Sequence, residues 1–129
     1  MQEPVVVVDS DENQSLELRR LLEAEHYKTT ALYSLANLEG VVSKNGCQVV
    51  IVDLDNLPVE NRLFRELKKS NPALRIIGIS SRPFHPELQE AMSKHIYVNL
   101  SKPVDSDELI YWLKSICEND ADSRDSPGT

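Results

Sequence analysis

The sequence of 129 residues has no apolar run long enough to cross a membrane. Its longest runs, Val5–Val8 and Val49–Val52, are far shorter than the roughly 20 residues that a membrane helix requires, and they suit buried strands. The sequence begins with Met1-Gln-Glu-Pro, without the basic residues and the apolar core of a signal peptide. We therefore expect a cytoplasmic domain that is neither secreted nor inserted in a membrane.

Cysteine is scarce, and basic residues are fewer than acidic ones. Cys47 and Cys117 are too few and too far apart for a disulfide framework or a zinc site, so we expect free thiols. The chain has 14 lysines and arginines against 21 acidic residues, which gives a formal net charge of −7. Because such a surface repels the phosphates of a nucleic-acid backbone, we expect no direct binding of nucleic acid.

Glycine is also scarce, with 4 residues in the chain, and none lies between Asp9 and Ser15. Loops that hold the phosphates of flavins and nucleotides are rich in glycine, because the backbone must approach the phosphate closely. The acidic segment after the first apolar run therefore argues against a flavin-binding or nucleotide-binding function.

The sequence does contain a regular alternation of two apolar patterns. Short runs rich in β-branched residues predict five strands, at Val5–Val8, Lys28–Leu32, Val49–Val52, Ile76–Ile79 and Ile96–Leu100. Apolar residues at helical spacing predict five helices, around Leu18–Leu22, Leu35–Val42, Leu63–Leu67, Leu88–Met92 and Leu109–Ile116. This alternation predicts an α/β fold in which helices cover both faces of a parallel sheet.

Capping residues mark the ends of several predicted helices. Asp11 is placed to cap the first helix, and Gln14, three residues later, completes the pattern of a capping box. Gly46 is expected to end the second helix, and Ser106 is expected to cap the last one.

The composition changes near the end of the chain. Residues 119–129 are polar and partly acidic, and they contain no large apolar residue that a core could bury. We therefore assign residues 1–118 to the domain and residues 119–129 to a polar acidic tail or linker, which we expect to be dispensable for folding.

Polar residues follow the ends of the predicted strands: Asp9 after the first, Asp53 and Asp55 after the third, Ser80 after the fourth and Lys102 after the fifth. Because the carboxyl ends of parallel strands lie at one edge of a sheet, we expect these side chains to converge there. Crowded carboxylates favour a hard divalent cation such as Mg²⁺, and a lysine and a hydroxyl suit phosphoryl oxygens. The set predicts phosphoryl transfer to one of the carboxylates.

These residues resemble the motifs of the receiver domains of two-component response regulators, and the resemblance extends from Val5 to about Cys117. That family has an acidic pair after strand 1, a phosphoacceptor Asp after strand 3, Thr or Ser after strand 4, and Lys-Pro after strand 5. The matching residues in this sequence are Asp9, Asp53, Ser80 and Lys102-Pro103. The resemblance implies a flavodoxin-like (βα)5 fold, a doubly wound parallel sheet with strand order 2-1-3-4-5.

The resemblance also implies a function in signal transduction. A histidine kinase or a phosphotransfer protein of a phosphorelay would phosphorylate Asp53, and Ser80 and Lys102 would read the modified state. Mg²⁺ would be held by Asp9, Asp53 and the backbone carbonyl of Asp55. The output would pass to a downstream protein effector or output domain through strand 5 and the helices beside it. The domain itself would not be an enzyme.

The sequence departs from the family pattern near two of these positions. Ser10 replaces the second acid of the pair, which predicts weaker binding of Mg²⁺ because a neutral hydroxyl replaces a charged ligand. Asn99 occupies the position of the family's aromatic switch residue, and Tyr97 lies nearby. Tyr97 points to the same face as Asn99 only if the strand is regular.

The position of the acceptor depends on how Pro58 is aligned with the family. Pro58 lies one residue later than the usual proline after the acceptor Asp53, and a different alignment would place Leu54 at the acceptor position. We prefer Asp53, because it directly follows the run Val49–Val52 and gives better spacing to Ser80.

Two other functions remain open. The departures from the family pattern favour, as an alternative, a receiver-like protein-interaction module that acts without phosphorylation. The segment Asp53-Leu54-Asp55 also resembles the DxD motif of haloacid-dehalogenase-type phosphatases, in which Asp55 would be a general acid. The position of the motif after the third strand is unusual for those enzymes, and no further acidic motif follows Lys102.

Overall fold

The computed structural model describes residues 4–46 and 48–125 of the chain. Cys47, one of the two cysteines predicted to be free thiols, lies outside the described residues, as do residues 1–3 and 126–129. Among the helices of the described part, none is both long enough and apolar enough to cross a membrane.

A parallel sheet forms at the positions that the β-branched runs predict. Its strands are β1 (Pro4–Val8), β2 (Lys28–Leu32), β3 (Val49–Asp53), β4 (Arg75–Ser80) and β5 (Ile96–Ser101). They are ordered β2-β1-β3-β4-β5 across the sheet, and every neighbouring pair is parallel. The predicted flavodoxin-like arrangement with strand order 2-1-3-4-5 is confirmed.

Helices cover both faces of the sheet. They are α1 (Glu12–Ala24), α2 (Leu38–Asn45), α3 (Asn61–Ser70) and α4 (Ser106–Asp125). The first and last pack on one face, where Leu22 and Leu113 are buried, and α2 and α3 pack on the other, through Leu38 and Phe64. Successive residues of the inner strands alternate between these two cores, which is why their sequences are apolar throughout.

Two of the predicted helix ends are found as expected. The carboxylate of Asp11 accepts hydrogen bonds from the backbone N–H groups of Asn13 and Gln14, at 3.0 and 3.2 Å, and so caps α1. Gly46 ends α2 with a φ of 61°, in the left-handed region that favours glycine.

The predicted cap of the last helix was wrong. Ser106 is the first residue of α4, and the capping side chain belongs to the preceding residue, Asp105. Its carboxylate accepts from the backbone N–H groups of Asp107 and Glu108, at 2.8 and 3.2 Å. An ionised carboxylate accepts these bonds better than a hydroxyl and also suits the positive end of the helix dipole.

The last helix extends beyond the predicted end of the domain. α4 continues to Asp125, so the backbone of the predicted tail is helical as far as that residue. The side chains that pack on the sheet come from the first part of the helix, at Leu109, Leu113 and Ile116. The domain boundary at residue 118 stays a prediction.

The segment predicted as the fourth helix is not a regular α-helix. It contains a 3-10 turn at Pro86–Leu88 and a π-helical turn at Ala91–His95. Leu88 and Ala91 are buried against the α2 and α3 face, as their helical spacing indicated, so the side-chain pattern was predicted and the backbone geometry was not.

A side chain of α3 explains why this segment departs from an α-helix. The Asn61 amide Nδ2 donates to the carbonyl of Glu87 at 3.2 Å, and its Oδ1 accepts from the N–H of Ala91 at 2.9 Å. In an α-helix that N–H and that carbonyl, four residues apart, would bond to each other. The Asn61 carboxamide is therefore inserted between them, a known cause of helix distortion.

β5 contains an extra residue relative to β4. The register shifts between Ile76 and Ile77 of β4, so that Tyr97 forms a bulge. The Tyr97 ring lies edge-on to Trp112 of α4, with ring centroids 5.8 Å apart. Asn99 lies on the opposite face of the strand, because the bulge interrupts the alternation that would place both side chains together.

We predict that Asn61→Ala lowers the free energy of unfolding by about 1–3 kcal/mol, because it leaves the Ala91 N–H and the Glu87 carbonyl without their partner. Urea denaturation measures the change. The control is Asn13→Ala at an exposed position of α1, which we expect to change the free energy by less than about 0.5 kcal/mol. Equal effects of the two substitutions would contradict the role of the inserted amide.

Candidate functional site

The residues predicted from the strand ends converge at the carboxyl edge of the sheet. Asp9, Asp53 and Ser80 are each only 1% exposed. Lys102 reaches across from the end of β5, and its Nζ lies 2.8 Å from Oδ2 of Asp53 and 3.1 Å from Oδ2 of Asp55. We call Asp9, Asp53, Asp55 and Lys102 together the carboxylate pocket.

Asp53 accepts hydrogen bonds on both carboxylate oxygens. Its Oδ1 accepts from the backbone N–H groups of Asp55 and Asn56, at 2.8 and 3.2 Å. Its Oδ2 accepts from Lys102 Nζ at 2.8 Å, from Gln14 Nε2 at 2.9 Å and from Asn56 Nδ2 at 3.0 Å. These donors stabilise the ionised form of a carboxylate that is almost completely buried.

The electrostatic balance keeps Asp53 charged. Burial alone would raise its pKa, but the hydrogen bond and charge of Lys102 and the backbone N–H groups of Asp55 and Asn56 outweigh that cost and hold the pKa below its ordinary value. Burial would likewise lower the pKa of Lys102, and its bonds to Asp53 and Asp55 raise it instead. The pair is therefore ionised at neutral pH.

Asp9 is the second buried carboxylate of the pocket, and its neighbours compensate its charge less well. Burial raises its pKa, as does the charge of Asp53, and the hydrogen bonds from Gln14 and from the backbone N–H of Asp11 offset this only in part. The N–H of Asp11 donates to Oδ1 of Asp9 at 2.9 Å, and Gln14 Nε2 donates to Oδ2. The pocket contains three carboxylates and one ammonium group, so it carries an excess of negative charge.

Gln14 belongs to this site, although the sequence pattern assigned it to a capping box. In a capping box its side chain would bond the backbone N–H of Asp11, but that N–H donates to Asp9. The Gln14 amide instead reaches both Asp9 and Asp53. The position of Gln14 on the first turn of α1, next to the strand end that carries Asp9, was the signal that could have indicated this role.

The residues on either side of Asp53 and Asp55 limit the possible acceptors. Leu54, which the other alignment would place at the acceptor position, packs in the core on the α2 and α3 face, whereas the carboxylate of Asp53 contacts Lys102 at the edge of the sheet. The carboxylate of Asp55 is bound by Lys102 and by the backbone N–H of Ser81, at 3.1 and 2.8 Å. Burial would raise the pKa of Asp55, but these bonds hold it below its ordinary value.

The hydroxyl of Ser80 is engaged by groups outside the carboxylate pocket. It donates to the carbonyl of Arg82 at 2.6 Å and accepts from Nδ2 of Asn99 at 3.1 Å. Asn99 lies against Gly78, where an added Cβ would come within 2.9 Å of its Oδ1. Asn99 therefore fixes the orientation of the Ser80 hydroxyl.

The oxygen donors of the pocket fit a divalent cation such as Mg²⁺. Two buried carboxylates, Asp9 and Asp53, contact the same amide nitrogen of Gln14. A hard cation would neutralise their negative charge and would accept their oxygens as ligands. Ser10 is exposed, and its hydroxyl donates to the carbonyl of Asn56 at 3.3 Å rather than to either carboxylate. Within residues 4–46 and 48–125, no cluster of three or more His, Cys, Asp or Glu side chains has the arrangement of a metal site.

Comparison with protein families identifies one match over most of the chain. The family model of the response regulator receiver domain matches residues 5–114. A comparison with curated protein sequences found no significant match.

Solved structures of receiver domains have the same fold. The signal receiver domain of an HD domain-containing protein from Pseudomonas fluorescens Pf-5 is 23% identical, with a TM-score of 0.81, over 92% of this chain and 97% of that one. A CheY-like receiver domain protein from Methanospirillum hungatei JF-1 is 15% identical, with a TM-score of 0.82, over 95% and 99%. The receiver domain of Ssk1 from Saccharomyces cerevisiae, crystallised with the histidine phosphotransfer protein Ypd1, is 16% identical, with a TM-score of 0.72, over 88% and 87%. At such identities the likeness establishes the fold alone.

We predict that Lys102→Met lowers the free energy of unfolding at about pH 7 by about 1.5–3 kcal/mol, because it removes a hydrogen-bonded charge from buried Asp53. The depressed pKa of Asp53 contributes stability above the ordinary pKa of about 3.9, and this contribution is lost as pH falls through the native pKa. The deficit of the variant should therefore shrink at about pH 3.

Urea denaturation of both proteins at the two pH values measures this difference. The control is Lys114→Met, which removes an exposed lysine 3.8 Å from Glu25 and should cost less than about 0.5 kcal/mol. A deficit in Lys102→Met that stays constant with pH would show that lost packing, rather than lost charge, is responsible.

Proposed function

Because the chain belongs to the family of response regulator receiver domains, we propose that Asp53 is its phosphoacceptor. A carboxylate oxygen of Asp53 would attack the phosphorus of a phosphohistidine on the donor protein. The new P–O bond forms an acyl phosphate while the P–N bond breaks, and the leaving imidazole takes up a proton. Receiver domains are signalling modules, and in this role the domain accepts one phosphoryl group and does not turn over a substrate.

The single observation that carries the proposal is the contact between buried Asp53 and Lys102. The 2.8 Å bond holds the carboxylate ionised, which is the form that attacks phosphorus. Once the phosphoryl group is attached, the same ammonium group would bind its oxygens. Ser80 is the hydroxyl that would complete this contact, after leaving its present partners Arg82 and Asn99.

A divalent cation would be held by the carboxylates of Asp9 and Asp53 and by the backbone carbonyl of Asp55. When bound, it would neutralise charge on the oxygens of the transferring phosphoryl group. Its charge is needed because the three carboxylates of the pocket outnumber the single ammonium group of Lys102 bound there and would otherwise repel an incoming phosphate.

The geometry argues against a phosphatase of the haloacid-dehalogenase type. In that mechanism Asp55 would have to be protonated in order to act as a general acid. Its carboxylate is instead bound by Lys102 and by the N–H of Ser81, and its pKa is held below the ordinary value. Asp55 is therefore ionised at neutral pH and a poor proton donor.

The donor in this proposal is a histidine kinase or a histidine phosphotransfer protein, and a protein of the second kind was crystallised with the Ssk1 receiver domain. The output would pass through β5 and α4 to a downstream effector. Tyr97, Tyr111 and Trp112 form an aromatic cluster there, with ring centroids 5.8 and 5.2 Å apart, and Tyr111 is 62% exposed. Exposed aromatic residues that contact one another are typical of interaction surfaces.

We predict that incubation with MgCl₂ and a small phosphoramidate adds the mass of one phosphoryl group to the protein, and that Asp53→Asn abolishes this adduct. An amide cannot form the acyl phosphate. Intact-mass spectrometry detects the adduct, and Asp107→Asn at an exposed position of α4 is the matched control. Absence of an adduct in the parent protein would instead favour the receiver-like interaction module that acts without phosphorylation.

We also predict that phosphorylation changes the fluorescence of Trp112, the only tryptophan of the sequence. Its ring contacts Tyr97 on β5, so a change at the end of this strand alters the surroundings of the indole. The phosphodonor should change the emission of the parent protein and leave that of Asp53→Asn unchanged. An identical response of both proteins would argue against output through β5 and α4.

A further inference from the structure

The Gln14 side chain lies between the two buried carboxylates of the pocket. Its Nε2 donates to Oδ2 of Asp9 and to Oδ2 of Asp53, the latter at 2.9 Å. An amide group has two N–H bonds, so it satisfies one oxygen of each carboxylate. The nitrogen thus contacts an oxygen of each of the two carboxylates that would hold a cation.

The oxygens of Asp53 have no vacant position for a cation while Gln14 is bound. Five hydrogen bonds reach this carboxylate, two on Oδ1 and three on Oδ2. An ionised carboxylate offers about four lone-pair sites, so these five donors already exceed them, and a cation must compete with the donors for the oxygens. Gln14 is the donor that also holds Asp9. Its departure removes the hydrogen bond on Oδ2 of Asp9 and leaves Oδ2 of Asp53 with two donors, Lys102 and Asn56.

The surroundings of Gln14 allow this departure. Its side chain is partly exposed, so the amide can be hydrated when it leaves the carboxylates. Lys102 is needed to compensate buried Asp53, and the donors of Asn56 and Asp55 belong to the loop that directly follows β3. A rotation of the Gln14 side chain alone removes its contacts with both Asp9 and Asp53.

We propose that Gln14 takes the place of the divalent cation in the metal-free domain and competes with it, so that withdrawal of the Gln14 amide sets the affinity for the cation. This inference rests on the proposed function, because it concerns the cation that assists phosphorylation of Asp53. It makes Gln14 a positioning residue that holds Asp9 and Asp53 together in the absence of metal.

The experiment is a titration of the full chain with MgCl₂ by isothermal calorimetry at constant ionic strength. Gln14→Ala should bind Mg²⁺ about tenfold more tightly than the parent, the gain expected when a hydrogen-bonded competitor of a charged group is removed. Gln14→Leu, which keeps the bulk of the side chain but has no donor, should also bind more tightly. Asn13→Ala, the neighbouring exposed amide, should leave the affinity unchanged.

A thermal melt of each protein separates competition from a merely structural role. Without Mg²⁺, Gln14→Ala should melt at a lower temperature than the parent, because Asp9 and Asp53 then repel each other without a shared donor. Saturating Mg²⁺ should restore most of this loss. A loss of stability without tighter binding, or tighter binding in Gln14→Ala but not in Gln14→Leu, would overturn the inference.

Failure of the proposed function has a different signature. If Asp53 is not a phosphoacceptor, no variant forms an adduct that Asp53→Asn abolishes, at any Mg²⁺ concentration and whatever its affinity for the cation. If only the inference about Gln14 is wrong, the parent and Gln14→Ala form the adduct at the same half-saturating Mg²⁺ concentration. A lower half-saturating concentration in Gln14→Ala, with the adduct still on Asp53, supports both.

Discussion

The buried negative charge of Asp53 is the constraint on which the arrangement of the site depends. A carboxylate that is 1% exposed is strongly destabilising unless hydrogen-bond donors and an opposite charge surround it. Gln14 comes from α1, Asn56 from the loop after β3, and Lys102 from the end of β5. The order of the strands places β1 on one side of β3 and β4 and β5 on the other, and so brings these distant segments to one carboxylate.

The parts of the fold and site that follow from local pattern were predictable from the sequence. The runs of valine and isoleucine identify strands buried on both faces, and the carboxyl ends of parallel strands must lie together. This is why Asp9, Asp53 and Lys102 could be placed at one edge before their distances were known. The flavodoxin-like order of the strands came from the resemblance to receiver domains, because several strand orders satisfy the same local pattern.

The features that sequence pattern did not predict depend on contacts between distant residues. Gln14 has the spacing of a capping box relative to Asp11, but the N–H that it would bind is taken by Asp9. The bulge at Tyr97 places its side chain on the face opposite to Asn99, and the regular alternation of a strand does not predict such an inserted residue. In both cases the sequence fits a local pattern, the spacing of a capping box or the alternation of a strand. The observed conformation differs because it also depends on residues outside that pattern.

The Asn61 carboxamide has a mechanical consequence for the outer surface of the domain. A regular helix carries its hydrogen bonds within itself, and it can rotate or slide against a neighbour while they stay intact. Residues 86–95 have given up one such internal bond in exchange for two bonds to the first residue of α3. A displacement of this segment relative to α3 would therefore break the two bonds that set its shape, so we expect the two elements to move together.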